Sequence, residues 1–281
     1  MTATFRVIAW VIRDTWQQAL ATRAAWLVVA ACTIGIPLGA LVDVGSQPVF
    51  GAEPWNAHAL CGAWLPNSVG VLFALFATAG VLPTFLEPRH ALVLFAKPTR
   101  RWRIAATRYI GVCLFVAVLA GFYFIASWIF LGLRTGRWPL VFLTGWFVFL
   151  VQFTVFFSFS ALLAVSTRST PVAALGSCLF WIASLLTNLG RQIVIAYDPP
   201  QFRQATRQII ELSYWCMPRP LDAASVLHDR LNPEPLMATL DFWRRLEESG
   251  QLWPMASLLA TVVITFFLMA AAVYDLETRD Y

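Results

Sequence analysis

Six long apolar runs dominate this chain, and none of them contains an Asp, Glu, Lys, Arg or His. They fall near Ala24–Val42, Val69–Leu86, Tyr109–Leu133, Trp138–Thr167, Thr170–Gly190 and Leu252–Tyr274. A helix needs about 20 apolar residues to cross the hydrocarbon core of a bilayer, and each run is long enough. The reading is an all-α polytopic membrane protein with six transmembrane helices. Composition points the same way: 59% of the 281 residues are hydrophobic and 12% are charged. A soluble domain carries about 25% charged residues, so this chain cannot cover a water-facing surface with its own polar groups. The fourth run exceeds what a span needs, so it tilts or continues past the membrane surface.

The net charge of +5 is a matter of orientation. Basic residues are split between short loops, which does not suit nucleic-acid binding. With the N-terminus in the cytoplasm, the inside segments hold Arg6, Arg13, Arg23, Arg168, Arg279 and all the basic residues of the loop 87–108. The first outside loop has none, and the second has Arg134 and Arg137. Positive residues favour the cytoplasmic side in short loops. The expected placement is the cell (inner) membrane, with both termini cytoplasmic. The last outside segment, 191–251, is richer in Arg, but at its length the rule loses force.

Residues 1–23 read as an interfacial helix. Phe5, Ile8, Ala9, Ile12, Trp16, Ala19 and Leu20 follow helical spacing, with Arg6, Arg13 and Gln17 on the other side. Arg6, Arg13 and Asp14 interrupt the apolar core that a cleavable signal peptide would need. Segment 191–251 opens with Pro199 and Pro200, which stop a helix. Phe202, Ala205, Ile209 and Leu212 then repeat at helical spacing, a second short helix starts near Asp222, and a third covers Leu236 to Glu248. Such short, polar pieces suit a small cap on the outer membrane surface.

Several chemistries are missing. The chain has no G-x-x-x-x-G-K-[ST], no H-E-x-x-H and no G-x-S-x-G, and its histidines, His58, His90 and His228, are scattered. No cofactor, metal or catalytic set is expected on it. The spans offer neither an acid nor a histidine to an intramembrane hydrolase or an ion-coupled carrier. Any transport is therefore driven by a partner. Cys32, Cys113 and Cys178 fall in apolar runs, and Cys61 and Cys216 fall outside, where a disulfide can form. Gln152 is the most polar mid-span side chain. It can line a pathway, although hydrogen bonding between helices is the commoner use. Gly35 and Gly39 have the small-x-x-x-small spacing of a helix–helix contact and could serve a dimer, while Pro37 between them could equally mark a kink.

The loop after the second run reads EPRHALVLFAKPTRRWR, Glu87 to Arg103. Its basic residues anchor it to anionic head groups, each contributing about 1 kcal/mol. That effect does not explain Ala91, Leu92, Leu94 and Phe95, an apolar side held between Pro88 and Pro98. A docking helix for a cytoplasmic partner explains both features.

At these residues the chain resembles the ABC-2 type permease family, membrane subunits of certain ATP-binding cassette transporters. The matching positions are Glu87, then Leu92 to Ala96, then Lys97-Pro98-Thr99-Arg100-Arg101, then Arg108 and Gly111. The chain departs from the family pattern at His90-Ala91, where Gly-Thr is usual, and at Arg108, where Lys is usual. The resemblance implies that 87–108 is a coupling loop gripping a separate ATPase through Glu87, Arg89, His90, Lys97, Arg100 and Arg101. It also implies ATP and Mg on that subunit, a second permease copy, and export. The cytoplasmic parts are too short to include an ATPase domain. The competing class is a membrane scaffold or assembly factor that recruits a soluble protein through the same loop.

Overall fold

The computed structural model describes residues 2–21, 26, 66–85, 101–197, 204–222, 225, 245–246, 248–251 and 253–278. The first apolar run with Gly35 and Gly39, and the coupling positions Glu87, Arg89, His90, Lys97 and Arg100, lie outside the described residues. So do Cys32 and Cys61, and most of the third outer helix expected at Leu236 to Glu248.

Among the described residues the regular elements are all helical. They are α1 (Thr2–Ala21), α2 (Val71–Thr78), α3 (Val81–Phe85), α4 (Arg101–Thr135), α5 (Thr144–Thr167), α6 (Thr170–Tyr197), α7 (Gln204–Cys216) and α8 (Pro254–Thr278). A π-helical turn, Pro66–Gly70, leads into α2, and a 3-10 turn, Leu140–Leu143, leads into α5. Four helical stretches are long and apolar enough to cross a membrane: Trp102–Leu133, Leu140–Thr167, Thr170–Tyr197 and Pro254–Thr278. The chain is therefore membrane-embedded.

The second run is helical but broken at Ala79–Gly80. Pro83 accounts for the break: it cannot donate to the carbonyl four residues back, and its ring crowds that carbonyl. The helices built on the third and fifth runs outlast their apolar stretches. α4 begins at Arg101 rather than Tyr109, and α6 continues to Tyr197 rather than stopping at Gly190. Hydropathy marks where the side chains become polar. The backbone hydrogen-bond ladder can run on beyond that point.

α5 lies at the centre of the molecule. It is apolar all round, as a helix enclosed by others should be, and it buries Phe149, Phe153, Phe156 and Phe157 among others. Phe149, Phe153 and Phe157 stack down one side, with Phe153 and Phe157 centroids 5.3 Å apart, and Tyr109 of α4 continues the stack 5.3 Å further on. The Tyr109 hydroxyl donates to the Thr154 carbonyl at 2.9 Å and shares a 2.8 Å hydrogen bond with Ser158. α8 packs mainly on α5, and it is the least buried of the four. Leu259, Val262, Val263, Phe266 and Phe267 on α8 face outward. Between α5 and α6 the chain reverses in two residues. Arg168 there takes the left-handed conformation (φ 54°), and its N–H donates to the Ala164 carbonyl at 2.9 Å.

We call the end near α1 proximal and the end where α6 finishes distal. α1 packs along the first turns of α4. Its buried residues are Val11, Thr15 and Ala19, so the contact runs beside the expected apolar stripe rather than along its middle. Small side chains explain the choice. A Cβ on Gly111 would lie 3.3 Å from the Thr15 methyl, so the two backbones approach closely there. The Trp16 indole donates to the Gly111 carbonyl at 3.0 Å. Ile8, Trp10 and Leu20 remain exposed.

Candidate functional site

The most polar place in the described protein is a buried cluster at the distal end, built around Asp222. Its carboxylate takes hydrogen bonds from three elements. Asn188 and Gln192 of α6 donate to Oδ1 at 2.8 and 2.9 Å. Tyr214 of α7 donates to Oδ2 through a short hydrogen bond, and Ser257 of α8 donates there at 3.3 Å. Asn188 also accepts from the backbone N–H groups of Leu221 and Asp222 at 2.9 and 3.2 Å. Asp222, Asn188, Gln192 and Ser257 are all buried.

The Tyr214 ring has a guanidinium over it twice. Arg191 and Arg219 each lie 4.1 Å from its centroid, and Arg219 also sits 4.2 Å from the Trp215 ring. Such contacts strengthen where water is excluded. Arg191 pairs with Glu211 at 3.0 Å. The cluster thus holds Arg191 and Arg219 against Glu211 and Asp222, and its charges balance. Burial pushes the Tyr214 hydroxyl pKa up, and the neighbouring Asp222 charge and hydrogen bond push the same way. Tyr214 therefore stays a donor through the neutral range.

These contacts fix where the described residues that follow α6 go. Arg191 meets Glu211 and Tyr214, while Thr187, a turn earlier, meets Met217 at 3.9 Å. α7 therefore runs back antiparallel to α6. The chain after it reaches α5, where the Gln152 amide donates to the Pro220 carbonyl at 3.1 Å. At about 1.5 Å per residue, Gln152 lies roughly 12 Å below Thr144 along α5. On the same scale α6 is about 42 Å long, roughly 12 Å more than a bilayer core, and Thr187 lies roughly 25 Å along it. Even if the whole excess projects distally, an untilted α6 keeps Thr187 and its neighbour Met217 within the apolar layer. The turn after α7 sinks into the helical bundle. Backbone outside a regular helix is tolerated at that depth only when enclosed by protein or lining a cavity. Pro218, Arg219, Pro220 and Asp222 are all buried.

Gln152, singled out from sequence, is fully buried and tied to this turn. Its Oε1 and Arg219 Nη2 are buried atoms with no hydrogen-bond partner among the described residues. Arg101 opens α4. Arg108, read as a loop residue, is instead helical and buried, and it binds α1: Nη2 pairs with Asp14 at 2.5 Å and Nη1 donates to Gln18 at 2.8 Å. Gln18 in turn donates to Asp14 at 3.0 Å. A small apolar pocket of about 20 Å³ opens nearby, between Leu82, Tyr109, Ala161, Met269, Ala272 and Leu276. Asp222, Arg219 and Tyr214 were missed as functional candidates because they lie in a segment too polar to span. The available signal was R-P-L-D after a Tyr-Trp pair, a proline-fixed turn carrying an acid.

No family model matches the chain, and no curated protein matches it.

Proposed function

We propose that the chain is the permease subunit of an ATP-driven transporter of the ABC-2 type. Six spans, cytoplasmic termini and a second copy of the permease belong to this reading, as does a separate ATPase that supplies ATP and Mg. The loop 87–108 couples the two, with Glu87, Arg89, His90, Lys97, Arg100 and Arg101 as the gripping residues. The loop sequence carries the reading. One structural observation supports it: Arg108, at the downstream end of the loop, is locked to Asp14 and Gln18 of α1. A push on the loop then moves α1 and α4 together, and α4 packs on the central α5. Rigid-body shifts of this kind are a common way to convert a local event into a change of access. Export follows from the resemblance alone.

The test is co-purification of the ATPase with the Arg100→Glu, Arg101→Glu double variant in the full chain. The expected result is loss of most of the bound ATPase and of transport, with the permease still in the membrane fraction. Unchanged association together with unchanged transport overturns the assignment.

A further inference from the structure

The small apolar pocket of the proximal half is a gap between α4 and α8. Its floor is buried and includes Ala161 of α5 and Ala272 of α8. Its rim is half-buried, with Ala105 and Tyr109 of α4 on one side and Met269 and Val273 of α8 on the other. Alanines on three different helices face the gap, and side chains of a single carbon leave room that longer ones would fill. The volume is about 20 Å³, and a buried water needs about 10–15 Å³. Room alone would therefore admit water, but the chemistry does not suit it. A buried water needs roughly two to four polar partners. Tyr109 is the one lining residue whose side chain bears an oxygen or nitrogen, and its hydroxyl is already held by the Thr154 carbonyl and Ser158. The gap suits a slender group with no hydrogen bonds to make.

Depth and continuity say where such a group comes from. At about 1.5 Å per residue, Tyr109 lies roughly 10 Å beyond Trp102, and Met269 roughly 8 Å beyond Tyr274, counted from the proximal end. Trp and Tyr are the residues that mark a membrane–water boundary, so the gap lies at the height of the proximal leaflet's hydrocarbon. Ile110 beside Tyr109 and Ala270 beside Met269 are exposed. The rim is thus continuous with the apolar outer surface that membrane embedding sets against lipid. We propose that the gap binds one acyl chain of a phospholipid in the proximal leaflet, whose methylenes pass between α4 and α8 and press on Ala161. This rests on membrane embedding and not on the permease reading. α8 packs mainly on α5 and far less on α4. The bound chain therefore supplies packing between α4 and α8 that the alanines leave out.

The test uses the full chain in nanodiscs of a phosphatidylcholine that carries a diazirine near the end of one acyl chain. After irradiation, adducts are mapped by peptide mass spectrometry at two tyrosines of the proximal half, Tyr109 in the gap and Tyr274 on the exposed surface of α8. Both are expected to be labelled in the unaltered chain. Ala105→Leu fills the rim and Ala272→Leu the floor. Each is expected to cut labelling at Tyr109 several-fold and to leave Tyr274 unchanged. Equal labelling of Tyr109 in the variants and the unaltered chain overturns the proposal in favour of ordinary surface lipid. Absence of label at Tyr109 in the unaltered chain, with Tyr274 labelled, overturns it in favour of a gap closed by protein. The two leucines enter from different helices, so the result stays readable if one variant fails to fold.

Discussion

Asp222 is held by Asn188 and Gln192 of α6, Tyr214 of α7 and Ser257 of α8. A carboxylate is suited to this, because it accepts at two oxygens and needs no donor in return. An amide of the same shape turns an N–H₂ toward one pair of donors and also leaves Arg191 and Arg219 in excess. Asp222→Asn is therefore expected to destabilise the folded protein by about 3 kcal/mol, in the range for breaking one side of a buried charge network. Unfolding in a detergent titration measures it, and a loss below about 0.5 kcal/mol, typical of an exposed position, contradicts the account. At this scale the sequence was hard to read. Gln152 stood out because its surroundings are apolar, whereas Asp222 lies in a polar stretch where one more acid carries no contrast. Arg108 was misjudged for a related reason: its partner Asp14 is far away in sequence and comes close only when α1 docks.

Elements were legible where hydropathy and backbone agree. The helix start near Thr170 and the end at Thr167 fall where the apolar runs predict them. The start of α4 and the end of α6 do not, because Arg108 and Arg191 are charged residues that a helix can carry once each has an acid to bind. How the elements pack depends on shape, which hydropathy does not report. α4 and α5 approach at Gly121, where an added Cβ would lie 2.9 Å from the Trp146 ring. That ring cannot swing away freely, since its N–H donates to the Ala117 carbonyl at 3.1 Å. Gly121→Ala is expected to cost about 2 kcal/mol by overpacking. The same change at Gly190, where nothing lies within contact distance, should be neutral or slightly stabilising, so the melting temperatures of the two variants should separate.

For the whole molecule, run length and composition were enough to give a membrane-embedded chain whose described elements are all helical. Its orientation remains a proposal with a direct check. Reporter fusions after residue 248 and at the C-terminus should report opposite sides, outside for the first and cytoplasm for the second. A cytoplasmic signal at 248 would reverse the reading of the basic residues. The sequence holds no hint that α5 packs on α8, which is its largest contact among the described elements, since segments distant along the chain leave no periodic mark of being neighbours. That arrangement also bears on synthesis. α5 is complete at Thr167, but α8 is complete only at Thr278. At translation speeds of about 5–20 residues per second, the gap lasts roughly 5–20 s. During that interval α5, the most enclosed of the four described spanning helices, lacks α8, and Gln152 lacks Pro220, which has yet to be made or docked. A nascent chain of this design needs temporary company in the bilayer until α8, made well after α5, arrives to complete the packing around it.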